Sequence, residues 1–209
     1  LLDSASAPAI WEQANRVLQS PEGTARALIT SSRVKALCTT DDPADDLQYH
    51  KLLAEDKGFS TKVLPTFRPD KVLHVENAEY PVYLQKLGAS AGVYIRTLDD
   101  VKAALKQRLD HFVSCGCRLS DQSFGAPDLS VWDEEAAQEA MNKALAGEKP
   151  LDYEVAAYQS LLMDFLGGEY AARGFTMQLH LGALRNLNTK RFQALGADIG
   201  CDSIGDGIP

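Results

Sequence analysis

The chain has 209 residues, of which 45% are apolar, 8% aromatic and 24% charged. That is the balance of an ordinary globular protein and excludes disorder and collagen-like structure. No apolar run approaches the roughly 18 residues needed to cross a bilayer, and Leu1, Leu2 and Asp3 lack the basic stretch that opens a secretory signal. With 21 Lys and Arg against 29 Asp and Glu the net charge is −8, the wrong sign for neutralising a phosphate backbone. Neither nucleic acid nor a membrane is an expected partner.

Four cysteines (Cys38, Cys115, Cys117, Cys201) show no C-x-x-C spacing, which reads as reduced thiols in a cytoplasmic protein. The chain opens without Met and stops at Ile208-Pro209 just after Asp202-Ser203-Ile204-Gly205-Asp206, so a piece of something longer is expected.

In chain order, residues 6–19 place Ile10, Trp11, Ala14, Val17 and Leu18 on one helical face behind a Ser-x-Pro start. Residues 34–40 form a short β-favouring run halted at Asp41-Asp42-Pro43. Lys62-Val63-Leu64 repeats that form before Pro65-Thr66-Phe67-Arg68-Pro69-Asp70, which gives a second strand. Residues 69–94 read as a long loop that could hold a helix over 76–87.

Leu98, Val101, Leu105, Leu109 and Phe112 recur every three or four residues behind Thr97, with Asp99 and Asp100 at the dipole's positive end. That spacing predicts a helix over 98–114. Residues 116–121 read as a third strand, 130–146 as a helix stopped by Gly147, 155–174 as another helix, and 175–180 as a fourth strand.

Strand and helix alternate, with no Gly-rich phosphate loop after any strand, and polar residues cluster where strands end: Asp41, Asp42, Arg68, Asp121 and His180. This pattern predicts an α/β fold, part of a (β/α)8 barrel, because barrel enzymes collect their chemistry at strand ends. Four strands are half of a barrel, which takes about 250 residues when complete. Residues 1–32 form a helical segment ahead of an α/β unit at 33–209.

Several side chains could carry chemistry. His180 suits a metal ligand or a hydrogen-bonded core histidine. Arg68 could grip a carboxylate with two parallel hydrogen bonds or pair with Asp70. Asp121 could be a general acid or base or could bond a loop. Asp41, Asp42, Asp45 and Asp46 read as capping the following helix more readily than as a cation site. Arg185-Asn186-Leu187-Asn188 is a polar loop of ligand-binding type or an ordinary turn. His50 and His111 lie in helical patterns and suit surface or packing roles, and His74 carries no distinguishing signal.

With those residues in hand, the chain resembles the uronate isomerases, amidohydrolase-like barrel enzymes of bacterial sugar-acid catabolism. The resemblance rests on Thr39-Thr40-Asp41-Asp42-Pro43 with His50 downstream, on the string from Lys62 to Lys71, and on Arg108-Leu109-Asp110-His111-Phe112. It also rests on Phe165 to Tyr170, on Gln178 to Asn186, and on Asp202 to Asp206.

The resemblance implies barrel strands two to five, with residues 1–32 as the tail of a helical insertion. The activity it implies is interconversion of D-glucuronate and D-fructuronate, or of D-galacturonate and D-tagaturonate, through an enediol. Arg68 and Arg185 would bind the hexuronate, and His180 and Asp121 would be catalytic. His180 would also be one ligand of a divalent metal, zinc by expectation, whose other ligands lie outside this chain. A homo-oligomer is expected, and this segment alone is expected to be inactive. A metal-dependent hydrolase of the same barrel class and a non-catalytic binder of sugar acids are the rival readings.

Two positions depart from the pattern. Gln122 stands where the family carries a histidine after Ser-Asp, and glutamine cannot titrate, so an essential role for that histidine would put activity in question. Cys201 stands where an aromatic is usual, which touches packing alone.

Overall fold

A computed structural model describes residues 2–124 and 127–205. Asp206, Ile208 and Pro209, singled out in the sequence, lie outside the described residues. Contacts divide the chain into two compact units, residues 1–39 with 48–64 and residues 40–47 with 65–209.

In the first unit, α1 (Ala7–Leu18) starts with Pro8 in its first turn, where a missing N–H costs nothing. Its apolar stripe forms as the spacing predicts but is left uncovered, with Trp11 72% exposed. After a 3-10 turn at Pro21–Gly23, α2 (Ala25–Ser31) is capped by Thr24, whose hydroxyl accepts the Ala27 N–H at 3.2 Å. The strand expected over 34–40 is shorter: β1 (Ala36–Cys38) is followed by α3 (Gln48–Glu55) and pairs in parallel with β2 (Lys62–Leu64). His50 on α3 lies 2.8 Å from the Thr39 hydroxyl.

In the second unit, parallel bridges join Asp41 to Phe67 and Phe67 to Ser120. The segment expected as a long loop instead carries two helices, α4 (Asp70–Leu73) and α5 (Tyr80–Ala91). α5 starts at Tyr80, four residues later than expected, with Pro81 in its first turn, and Gly92 ends it at φ +66°. Then α6 (Leu98–Ser114) opens on a capping box in which Thr97 and Asp100 each bond the other's backbone N–H.

The third strand differs from its expected span: β3 is Leu119–Phe124. Asp121 therefore lies inside the strand rather than at its end. Gln122 and Ser123, which look like loop residues, are ladder members because β4 lies alongside. α7 (Glu134–Ala146) begins at the Asp133 cap, so residues 130–133 are not helical as expected. α8 (Asp152–Ala172) leads to β4 (Thr176–Leu181), and the small antiparallel pair β5 (Ala183–Leu184) and β6 (Ser203–Ile204) brackets α9 (Thr189–Leu195).

β3 and β4 pair in parallel, with Asp121 opposite Gln178, Gln122 opposite Leu179 and Ser123 opposite His180. Because side chains alternate along strands, Asp121, Ser123, Gln178 and His180 share one face. Ser120, Gln122, Phe124, Met177, Leu179 and Leu181 share the other. The second face meets the helices: the Gln122 amide donates to the Tyr170 hydroxyl of α8 at 2.8 Å, and Phe67 sits edge-on to Phe112 (centroids 5.1 Å apart) and Tyr170 (6.3 Å). Leu179, although on this face, is 46% exposed, since no described helix covers it.

Candidate active site

In the second unit, β3, β4 and the segment after the Phe67 bridge bring Arg68, Asp121 and His180 together. Arg68 follows the Phe67 bridge, and its own N–H donates to the Asp41 carbonyl at 3.0 Å, which holds its backbone in place. Its Nε donates to Asp70 Oδ2 at 2.9 Å, and its Nη1 lies 3.7 Å from Asp121 Oδ2. The Thr40 hydroxyl donates to the same Asp121 oxygen at 3.3 Å. Asp121 is thus approached by Arg68 and Thr40 on one oxygen.

On the other oxygen, His180 Nε2 lies 3.0 Å from Asp121 Oδ1, but no donor is aligned to hydrogen-bond that buried atom. An acceptor stripped of water and left without a donor is costly, and a ligand hydroxyl is the kind of group that would satisfy it. The His180 side chain is 48% exposed and Asp121 only 7%. One buried anion therefore sits between a permanent cation and an accessible imidazole.

Of the two readings of Arg68, the structure shows the ion pair with Asp70, made through Nε, while Nη1 lies toward Asp121. Arg185 is placed elsewhere: Nη1 bonds Asp202 at 2.6 Å. Among the described residues no hydrogen bond or ion pair joins it to Arg68, Asp121 or His180. The Asn186 N–H and Arg185 together hold the Asp202 carboxyl below its usual range. Two of the four early aspartates bond their own loop: Asp42 accepts the Ala44 N–H and Asp45 the Leu47 N–H.

Gln122 occupies the face opposite Asp121 and His180, buried against Tyr170. A side chain there packs against the helices, so its inability to titrate removes nothing from the cluster.

Sequence reasoning missed a second layer. Asp70 Oδ1 accepts the Ser123 N–H at 3.0 Å, and His74 Nε2 lies 3.3 Å from the Ser123 carbonyl oxygen. His74 Nδ1 is 2.9 Å from Glu76. Only the i, i+2 spacing of His74 and Glu76 hinted at a pair. The bond to Glu76 lifts the His74 pKa above its ordinary 6.5 despite partial burial. Burial pushes Glu76 up, but the His74 bond and a backbone N–H outweigh it and leave Glu76 below its ordinary 4.5.

This pair has a definite pH signature. The Glu76 contribution is present above pH 4.5 and is lost as pH falls through its lowered folded value. The His74 contribution is full below 6.5 and is lost as pH rises through its raised folded value. The stability difference between wild type and His74→Gln, followed by urea unfolding, should therefore be greatest between those limits and shrink above them. Part exposure keeps its size under about 1 kcal/mol. A difference that grows as pH rises above 6.5 would contradict the pairing.

Among the described residues no group of three His, Cys, Asp or Glu side chains could hold a metal ion. One imidazole beside one carboxylate falls short of the three or four protein ligands that zinc takes, so these residues do not by themselves fit the expected zinc.

Parallel strands that carry a charged cluster on one face and helices on the opposite face define part of a (β/α)8 barrel. Sequence and structure comparisons agree on which one. Residues 1–208 match the glucuronate isomerase family, and the chain belongs to it.

The uronate isomerase of Caldicellulosiruptor saccharolyticus is 47% identical over 210 residues, covering 99% of this chain and 44% of that protein. That of Pectobacterium atrosepticum is 42% identical over 206 residues, again 99% of this chain and 44% of that protein. The crystal structure of uronate isomerase from Thermotoga maritima superposes with a TM-score of 0.91 at 32% identity, covering all of this chain and 46% of that one. Glucuronate isomerase from Caulobacter crescentus shares the fold, with a TM-score of 0.84 at 22% identity. The chain spans less than half the length of these relatives.

Proposed function

We propose that the protein carrying this chain interconverts D-glucuronate and D-fructuronate, with D-galacturonate and D-tagaturonate as the alternative pair, by moving a proton between C2 and C1 through an enediol. The observation that carries this reading is the convergence of Arg68, Asp121 and His180 on one face of the strands, within a family of uronate isomerases. Arg68 binds the hexuronate carboxylate through its outer nitrogens.

Asp121 and His180 are the groups of this chain that carry protons. Asp121 Oδ1 accepts a substrate hydroxyl, and the imidazole exchanges a proton with the neighbouring oxygen as the carbonyl moves from C1 to C2. Overall C2 and its hydroxyl each lose a proton, while C1 and the former carbonyl oxygen each gain one. Arg185, held by Asp202, assists substrate binding at the mouth only if that pair opens.

A divalent metal, zinc by family expectation, would draw its ligands mainly from elsewhere in the protein, because an imidazole bound to metal through Nε2 could not also exchange a proton there. Residues 1–32 are the tail of a helical insertion, and residues 33–209 carry barrel strands two to five. The parent is a cytoplasmic homo-oligomer of sugar-acid catabolism, and this segment alone is inactive.

The test is carboxylate recognition in the full-length protein. Arg68→Lys keeps the charge but loses the fork, so KM for glucuronate should rise roughly tenfold with a smaller change in kcat. Glucose, which lacks the carboxylate, should be a poor substrate. Unchanged kinetics in the variant, or equal turnover of the two sugars, would remove Arg68 from the site.

A further inference from the structure

We infer that Asp70 is a positioning residue that fixes the direction from which Arg68 takes the substrate carboxylate, an inference that rests on the isomerase reading of this site. Its two oxygens do different things. Oδ2 accepts from Arg68 Nε at 2.9 Å, and Oδ1 accepts the Ser123 N–H at 3.0 Å. The carboxylate therefore ties the guanidinium to β3 near its C-terminal end.

The tie has two geometric consequences. A guanidinium can meet a carboxylate side-on, through Nε and one Nη, or end-on, through both Nη nitrogens. With Nε already engaged by Asp70, only the end-on edge remains for a ligand, and Nη1 on that edge is the nitrogen nearest Asp121. Second, Ser123 is the register partner of His180. The same carboxylate thus sets Arg68 relative to the strand position from which the imidazole projects.

The Ser123 carbonyl is also held, lying 3.3 Å from His74 Nε2. Residues 70–74, which include the one-turn helix α4, grip Ser123 at its N–H and at its C=O. A flexible arginine would lose rotamer freedom on meeting its substrate; Arg68 has already lost it. Asp70 contributes order rather than attraction, since a second carboxylate on Arg68 competes electrostatically with the ligand.

The experiment is a double-mutant cycle in the full-length protein with glucuronate as substrate. Asp70→Asn keeps the side-chain shape and one acceptor oxygen for Ser123 but loses the charge that holds Nε. It should raise KM about tenfold while kcat changes less than about threefold, the split expected when ligand positioning alone is lost. In an Arg68→Ala background, itself weakened but active at high substrate, Asp70→Asn should change KM no further, because the effect runs through Arg68.

A KM unchanged by Asp70→Asn overturns the inference, as does an equal KM effect with and without Arg68, the result a general structural role would give. A wild-type protein that binds hexuronates without isomerising them overturns the isomerase reading but leaves the cycle measurable in Kd, where the same tenfold loss, absent without Arg68, is expected.

Discussion

Replacing Arg108 by methionine is expected to destabilise the protein by about 3–5 kcal/mol, a large effect for a single residue. Arg108 of α6 is 7% exposed and donates to three backbone carbonyls: Nε to Pro43 at 2.7 Å, Nη1 to Ser90 at 3.0 Å and Nη2 to Asp45 at 2.6 Å. Burial pulls its pKa down, a shift partly offset by Asp45, and the group remains a cation. Methionine fills much of the volume but strands all three carbonyls. Lysine can satisfy one of them and should recover part of the loss.

Urea unfolding of the full-length variants measures this directly, and a loss below about 1 kcal/mol would show that water replaces the guanidinium. The held segment also carries Thr40, whose hydroxyl donates to Asp121, so the stability staple and the site share a loop.

The second large effect concerns catalysis. In the full-length protein His180→Ala and Asp121→Asn are each expected to lower kcat by about 10²- to 10⁴-fold, the range for a positioned proton-transfer group. Because Nε2 and Oδ1 are 3.0 Å apart, the two groups act as one unit, and the double variant should be little worse than the poorer single. The His180 side chain is half exposed, so its removal should leave the unfolding midpoint nearly unchanged. Fully multiplicative losses would mean the two residues serve separate steps, and a wild-type kcat in either variant would remove it from the chemistry.

Much of the site could be read before any coordinates. Arg68 and His180 stand out as polar residues after short apolar runs, a pattern that local sequence carries. Asp121 stood out for the wrong reason, as a strand end, whereas it lies within β3. Asp70 could be read only as a possible ion partner two residues from Arg68; its second bond, to the Ser123 N–H across a sequence gap of 53, has no local trace. Nothing local separates Arg185, committed to Asp202, from an arginine free to bind ligand.

By itself the sequence determined the elements whose causes are short-range. Thr97 and Asp100, three residues apart across the first turn, define the start of α6, and Gly147 at φ +78° defines the end of α7, because caps and left-handed stops are decided within one turn. Its strings also carried the family resemblance.

Tertiary structure alone decided what depends on a partner strand. The polar run Ser120-Asp121-Gln122-Ser123 becomes a strand because β4 and Phe67 take up its backbone groups. The register of that pairing turns Asp121 toward His180 and Gln122 toward Tyr170. A shift of one residue would exchange the two faces, and register is set by contacts distant in sequence.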